Sequence, residues 1–230
     1  MLERRLFNSD DKISPGLYMK YWESIVKKHG SGRLDTNLLK QYREVRNGAI
    51  IAALWTKTTG IKHFVSFPHE EPNDVEIYSL EPTEFKGVPS WKLSKSPIQL
   101  TRCSPIHGET VLGQILKKNK EYLKETILVV HILGEDGVTI NLNKIVEEVR
   151  NIEIIYPPEI VLVAPIEDPG SPEQTYAQLL IYKRGQNDVR ISKVDYGDPQ
   201  GFFEDPQIMQ SQMGTGRAIE VAGSFSLMLP

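Results

Sequence analysis

Two short stretches are apolar almost without interruption, Thr126-Ile127-Leu128-Val129-Val130-His131-Ile132 and Glu159-Ile160-Val161-Leu162-Val163-Ala164. Neither alternates polar with apolar residues, so each predicts a strand buried on both faces, as in a parallel sheet covered by helices. Between them lies a Gly134 to Gly137 turn and an expected helix from about Asn141 to Asn151. Two buried strands joined through a helix form a βαβ unit, and its crossover is expected to be right-handed.

Upstream, Leu17, Tyr21, Ile25 and Val26 recur at helical spacing, predicting a helix over Pro15–His29 with Gly30 as its stop. A second helix is expected to start near Asp35, an N-cap residue, and to run through Leu54 to a stop at Gly60. Three strands then follow with no helix between them, Lys62–Phe67, Asp74–Leu80 and Ser96–Cys103, separated by loops that carry Pro and Gly. A helix from about Glu109 to Leu123 leads into the first apolar run. After the second run, Gln174–Arg184 and Val189–Val194 predict an antiparallel pair. The residues from 196 onward are rich in Gly, Gln, Pro and Ser and predict an irregular or partner-docked tail. The expected architecture is α/β, a mixed sheet with helices on both sides. Its expected division is an N-terminal helical extension (1–30), an α/β domain (31–195) and the tail (196–230).

Composition narrows the function classes. A 230-residue chain that is 40% hydrophobic and 25% charged is ordinary for a globular protein with a sizeable core. The single cysteine, Cys103, cannot form an intrachain disulfide, and Met1-Leu2-Glu3-Arg4-Arg5 is not followed by an apolar signal segment, so a cytoplasmic location is expected. The longest apolar run, Ala49–Trp55, falls far short of the roughly 20 residues a membrane span needs. A net charge of −3 argues against a uniformly basic nucleic-acid-binding surface but leaves room for a local basic face. No G-x-G-x-x-G, G-x-x-x-x-G-K-[ST] or G-x-S-x-G occurs, and His63, His69 and His107 lack zinc-ligand spacing.

The candidate chemistry lies on the second and third meander strands. If these are sheet neighbours, Asp74 and the Gln99 side-chain oxygen converge on one point, as a hard cation such as Mg²⁺ requires. Glu76 alternates with Asp74 and is a substitute ligand. Glu44, on the preceding helix, would add a carboxylate, and Lys117 or Lys118, on the following helix, would bring positive charge to a phosphate. Each residue also has a structural reading. Asp74 after Pro72-Asn73 is a turn residue, Gln99 a sheet amide, Glu44 part of a charged helix face with Arg43 and Arg46, and the lysines a solvated helix face.

The order of elements, with Glu71-Pro72-Asn73-Asp74 before the second strand and Gln99-Leu100-Thr101 on the third, resembles the PD-(D/E)XK nuclease superfamily over roughly residues 35–166. The resemblance implies a restriction-endonuclease-like αβββαβ core. It also implies a Mg²⁺- or Mn²⁺-dependent endonuclease acting on DNA, with Asp74 and Gln99 at the metal and Glu44 as the extra acid some members use. Gln99 and Thr101 stand where the family carries an acid and a lysine, and Lys118 would be the migrated lysine. A nuclease-fold protein that binds nucleic acid or a protein without cutting is the neighbouring expectation, and an α/β interaction or small-molecule-binding protein a further one. Partners expected with these readings are DNA, a second copy of the chain, and a protein docked on the tail.

Overall fold

A computed structural model of the chain describes residues 7, 11–30, 39–69, 73–86, 88–133, 141–166, 175–184, 190–195, 208–211, 217–220 and 226–228. The chain divides into two compact units, one formed by residues 1–96 with 199–230 and the other by residues 97–198. These units divide the chain at 96/97 and 198/199, where the expected boundaries were 30/31 and 195/196. No helix among the described residues is long and apolar enough to cross a membrane.

In the first unit, α1 (Pro15–His29) starts where expected. The Ser14 hydroxyl caps the Leu17 amide at 3.4 Å, Pro15 occupies the first turn, and Gly30 ends the helix at φ 75°. The helix α2 (Lys40–Thr59) ends at Gly60 in the left-handed conformation, with its amide on the Thr56 carbonyl at 2.9 Å. The proposed Asp35 start lies outside the described residues. The two helices meet through aromatic rings: Tyr18 and Tyr42 both pack edge-on against Phe67, and the Tyr18 hydroxyl donates to the Tyr42 carbonyl at 2.9 Å.

The strands of this unit are β1 (Asp11–Ile13), β2 (Lys62–Ser66), β3 (Val75–Phe85), β4 (Val88–Cys103, which continues into the second unit), β9 (Ile208–Ser211), β10 (Arg217–Glu220) and β11 (Ser226–Met228). Their order is β11-β10-β9-β1-β2-β3-β4. The meander is confirmed by the antiparallel β2–β3 register from Lys62↔Leu80 to Ser66↔Glu76. Two expectations are corrected. Residues 81–85 and 88–95, read as loop, extend β3 and β4. Pro82 and Pro89 concealed this, because proline is excluded from central strands but tolerated where one edge of a ladder is open. The tail, expected to be irregular, contains three strands, with β9 pairing antiparallel to β1 at Asp11↔Gln210, Lys12↔Met209 and Ile13↔Ile208. A ladder between segments about two hundred residues apart leaves no local periodicity to read.

In the second unit β4 is followed by α3 (Val111–Lys118), β5 (Ile127–Ile132), α4 (Leu142–Arg150), β6 (Glu159–Ile166), β7 (Thr175–Lys183) and β8 (Arg190–Asp195). β4, β5 and β6 are parallel neighbours, and β7 and β8 add the expected antiparallel pair. Leu128, Val130, Ile132, Ile160 and Leu162 form one core with Val111, Ile115, Leu123, Val146 and Val149, while Val129, Val161 and Val163 are buried on the opposite face. The two apolar runs are therefore doubly covered, as their lack of alternation implied.

The helix α3 is shorter than expected because Asn119 is drawn into a tertiary contact. Its carboxamide oxygen accepts from the Ile155 and Tyr156 amides at 3.2 and 3.1 Å, and its amide donates to the Glu153 carbonyl at 3.2 Å. A separate 3-10 turn, Glu121–Leu123, then buries Leu123.

One close approach sets the geometry of the first unit. A Cβ built on Gly48 of α2 would stand 2.6 Å from a Val75 methyl at the start of β3. Only glycine lets the helix lie this close. Replacing Gly48 by Ala is expected to destabilise the protein by about 1–3 kcal/mol through overpacking, against a helix-propensity gain of at most about 1 kcal/mol. Urea unfolding of Gly48→Ala measures the balance; an unchanged or raised midpoint would sink the close-contact argument.

Candidate functional site

Glu44 lies one helical turn before Gly48, so the helix face pressed onto Val75 also carries Glu44 toward Asp74, the residue that precedes β3. The two acids are close enough that the Asp74 charge raises the Glu44 pKa. Burial is the larger cause, and Lys40 and Arg43 oppose both. The Glu44 side chain is 16% exposed, and Lys40 pairs with it across one turn at 3.3 Å. Partly buried and facing another acid, Glu44 holds its proton more firmly than a free side chain. Two such oxygen donors suit a hard divalent cation, whose charge would relieve the repulsion between them.

Glu76 belongs to a different environment. Val75 faces α2, so the next residue of the strand points to the other side of the sheet. There Glu76 is fully buried, with the Tyr78 hydroxyl donating to Oε2 at 2.7 Å, His69 Nδ1 2.9 Å from the same oxygen, and Lys95 Nζ 3.3 Å from Oε1. Burial alone would raise its pKa. The hydrogen bonds from Tyr78 and His69 and the charge of Lys95 outweigh that and hold the carboxyl below its ordinary value. Glu76 is thus a satisfied internal anion, on the opposite sheet face from Glu44. Glu44 and Asp74 thus interact through their charges, whereas Glu76 has its own partners on the other face of the sheet.

Gln99, Thr101 and Lys118 belong to the second unit. Gln99 and Thr101 are buried on β4, and the Thr101 hydroxyl donates to the Gln114 side chain of α3 at 3.0 Å. This bond ties strand to helix and occupies the Thr101 side chain. Lys117 and Lys118 occupy the last turn of α3, where positive charge complements the helix dipole. Among the described residues no group of three or more His, Cys, Asp or Glu side chains is placed to hold a metal. The partners of Glu76 escaped the sequence reading. Glu76 and Tyr78 share a strand face by simple alternation, which is a readable signal, whereas His69 and Lys95 reach that face only through the folded strand and hairpin.

No family model matches the chain, and neither a curated protein nor a solved structure is detectably similar to it.

Two measurements separate the acids. Tyr78→Phe keeps the ring under Lys12, whose Nζ lies 4.3 Å from its centroid, but removes a donor from a buried carboxylate, and is expected to cost about 1–3 kcal/mol in chemical denaturation. The stability Glu76 contributes is present above the unfolded carboxylate range and is lost as pH falls through its lowered folded pKa, so in Tyr78→Phe the acid loss should begin at higher pH. Glu44 has the opposite sign. Its contribution is present below the unfolded value and is lost as pH rises through the raised folded pKa. Glu44→Gln should therefore be more stable than the wild type at neutral pH and equal to it in acid; equal stability at both would remove the repulsion argument.

Proposed function

We propose that this chain is a nuclease-like α/β protein that engages DNA phosphates through a divalent cation seated by Glu44 and Asp74. The observation that carries the reading is the convergence of these two acids, one from a helix and one from a strand entry, with Glu44 held in a raised-pKa state. Supporting it is the order α2, β2, β3, β4, α3, β5, in which β2 and β3 are antiparallel and β4 and β5 parallel. A restriction-endonuclease-like αβββαβ core would run in the same order, which supports the reading. Mg²⁺ held there would supply Lewis-acid stabilisation of a phosphodiester and activate water for hydrolysis. The protein's own contribution is to fix the two carboxylates, Glu44 through the Gly48 contact and Asp74 at the strand entry.

A second reading, in which the same domain binds DNA without cutting it, is favoured by Thr101. Its side chain is neutral and bonded to Gln114, so it lends no positive charge to a developing phosphorane.

Thermal unfolding with and without Mg²⁺ tests the seat: millimolar Mg²⁺ should raise the wild-type midpoint and leave Asp74→Asn unmoved, because a ligand stabilises only the state that binds it. Equal shifts in both proteins would reject the site. Supercoiled plasmid incubated with Mg²⁺ or Mn²⁺ then separates the readings. Nicking that disappears in Asp74→Asn selects the enzyme, and salt-sensitive binding without nicking selects the binder.

A further inference from the structure

We propose that the outer part of β4 is a dimerisation strand, which pairs antiparallel with the same strand of a second copy of this chain. The seam lies on residues that the Glu44–Asp74 pair does not use. Two residues separate β3 from β4, and Lys86 has φ 51°, as a two-residue hairpin turn requires. In such a hairpin Phe85 and Val88 exchange backbone hydrogen bonds, so Val88, Ser90, Lys92 and Ser94 point their amides and carbonyls at β3. Trp91, Leu93 and Lys95 point theirs to the other edge. The far end of the strand has the same phase: the carbonyl of Cys103, an even number of residues from Lys95, accepts from the Leu133 amide just after β5 at 2.9 Å. That ladder with β5 begins only at Ile98. Among the described residues no strand pairs with residues 88–96 on this edge.

An open row of amides and carbonyls is a template for another extended chain. The side chains along it identify that chain as a second copy. Val88 is 60%, Trp91 39% and Leu93 41% exposed, an unusual concentration of apolar surface on one strand. Residues 88–96 contain no acid, and Glu81 and Glu84 lie on β3, the far strand of the hairpin. Glu81 stands opposite Lys92 within the same hairpin, so neither acid reaches the open edge.

One register suits the strand to itself. About a twofold axis through Trp91, the ring meets its own counterpart and Pro89 meets Leu93 of the second copy, all on one face by alternation. On the other face Ser90 meets Lys92 and Val88 meets Ser94, so no lysine opposes a lysine. The neighbouring registers fail. An axis at Ser90 leaves Leu93 beyond the start of the second β4, and an axis at Lys92 sets two lysines against each other. An axis at Leu93 puts Val88 of the second copy opposite Ile98, a place that Ile127 of β5 already holds. In the favoured register the two Trp91 residues exchange backbone hydrogen bonds, and each Leu93 amide donates to the Pro89 carbonyl opposite, where the proline has no donor to strand. The contact closes on itself and stops at two chains.

The test is sedimentation of the full chain from about 1 to about 200 μM, where a single-strand seam should show a monomer–dimer equilibrium and no larger species. Trp91→Lys sets a charge against its own counterpart at the axis and should weaken dimerisation about tenfold or more. Leu93→Pro removes an outward amide at a position of the same phase as Pro89, which the strand already holds. Its circular dichroism should match the wild type while dimerisation weakens by a similar factor. In oxidised glutathione Trp91→Cys should form a disulfide-linked dimer, because residues opposite in a hydrogen-bonded pair have Cα atoms about 5.5 Å apart, within disulfide reach. Val88→Cys, more exposed but opposite Ser94, should cross-link far less. A wild-type chain that stays monomeric throughout, a dimer indifferent to both Trp91→Lys and Leu93→Pro, or equal cross-linking of the two cysteine variants would overturn the seam.

Discussion

The first unit depends on the contact between Gly48 and Val75. A helix backbone and a strand side chain approach there to a distance that excludes a methyl group. That contact fixes which face of α2 meets the sheet, and everything one turn earlier follows. Glu44 is carried to Asp74, and the strand that begins at Val75 turns Glu76 to the other side. Two acids two residues apart in sequence thereby reach unlike surroundings, one beside a competing charge and one enclosed by three donors.

The contrast between these acids also separates strain from stability. Glu76 is a buried charge whose partners more than offset its desolvation, so it fastens β3, the β2–β3 connection at His69 and β4 at Lys95. Glu44 is incompletely compensated, since Lys40 and Arg43 do not cancel the effects of burial and Asp74. Groups held against their preferred ionisation state are characteristic of binding and catalytic positions, where a ligand rather than the protein completes the charge balance. Of the candidate acids, Glu44 is the one whose charge the fold compensates least, and the proposed cation seat is built on it.

Much of the fold was legible because its signals are local. The Ser14 cap, Pro15 and Gly30 bounded α1, and the unalternating runs around Val129 and Val161 announced strands covered on both faces. The misreadings share a cause, which is structure stabilised from outside its own segment. Asn119 leaves the helix for the backbone of residues 153–156, β9 forms against β1, and Pro82 and Pro89 sit in strands because one edge there is open. At the site, Glu44 and Asp74 were legible as residue types in a plausible order. The lock on Glu76 was not, because His69 lies seven residues away and Lys95 nineteen.

By itself the sequence determined the alternation of helices and strands, the buried parallel core and the identity of the acids available for chemistry, because periodicity, capping and charge are properties of neighbours along the chain. Which acids meet was decided only by tertiary structure. Glu44 and Asp74 are thirty residues apart in sequence, and no local pattern encodes the missing methyl group at Gly48 that lets a helix bring one to the other.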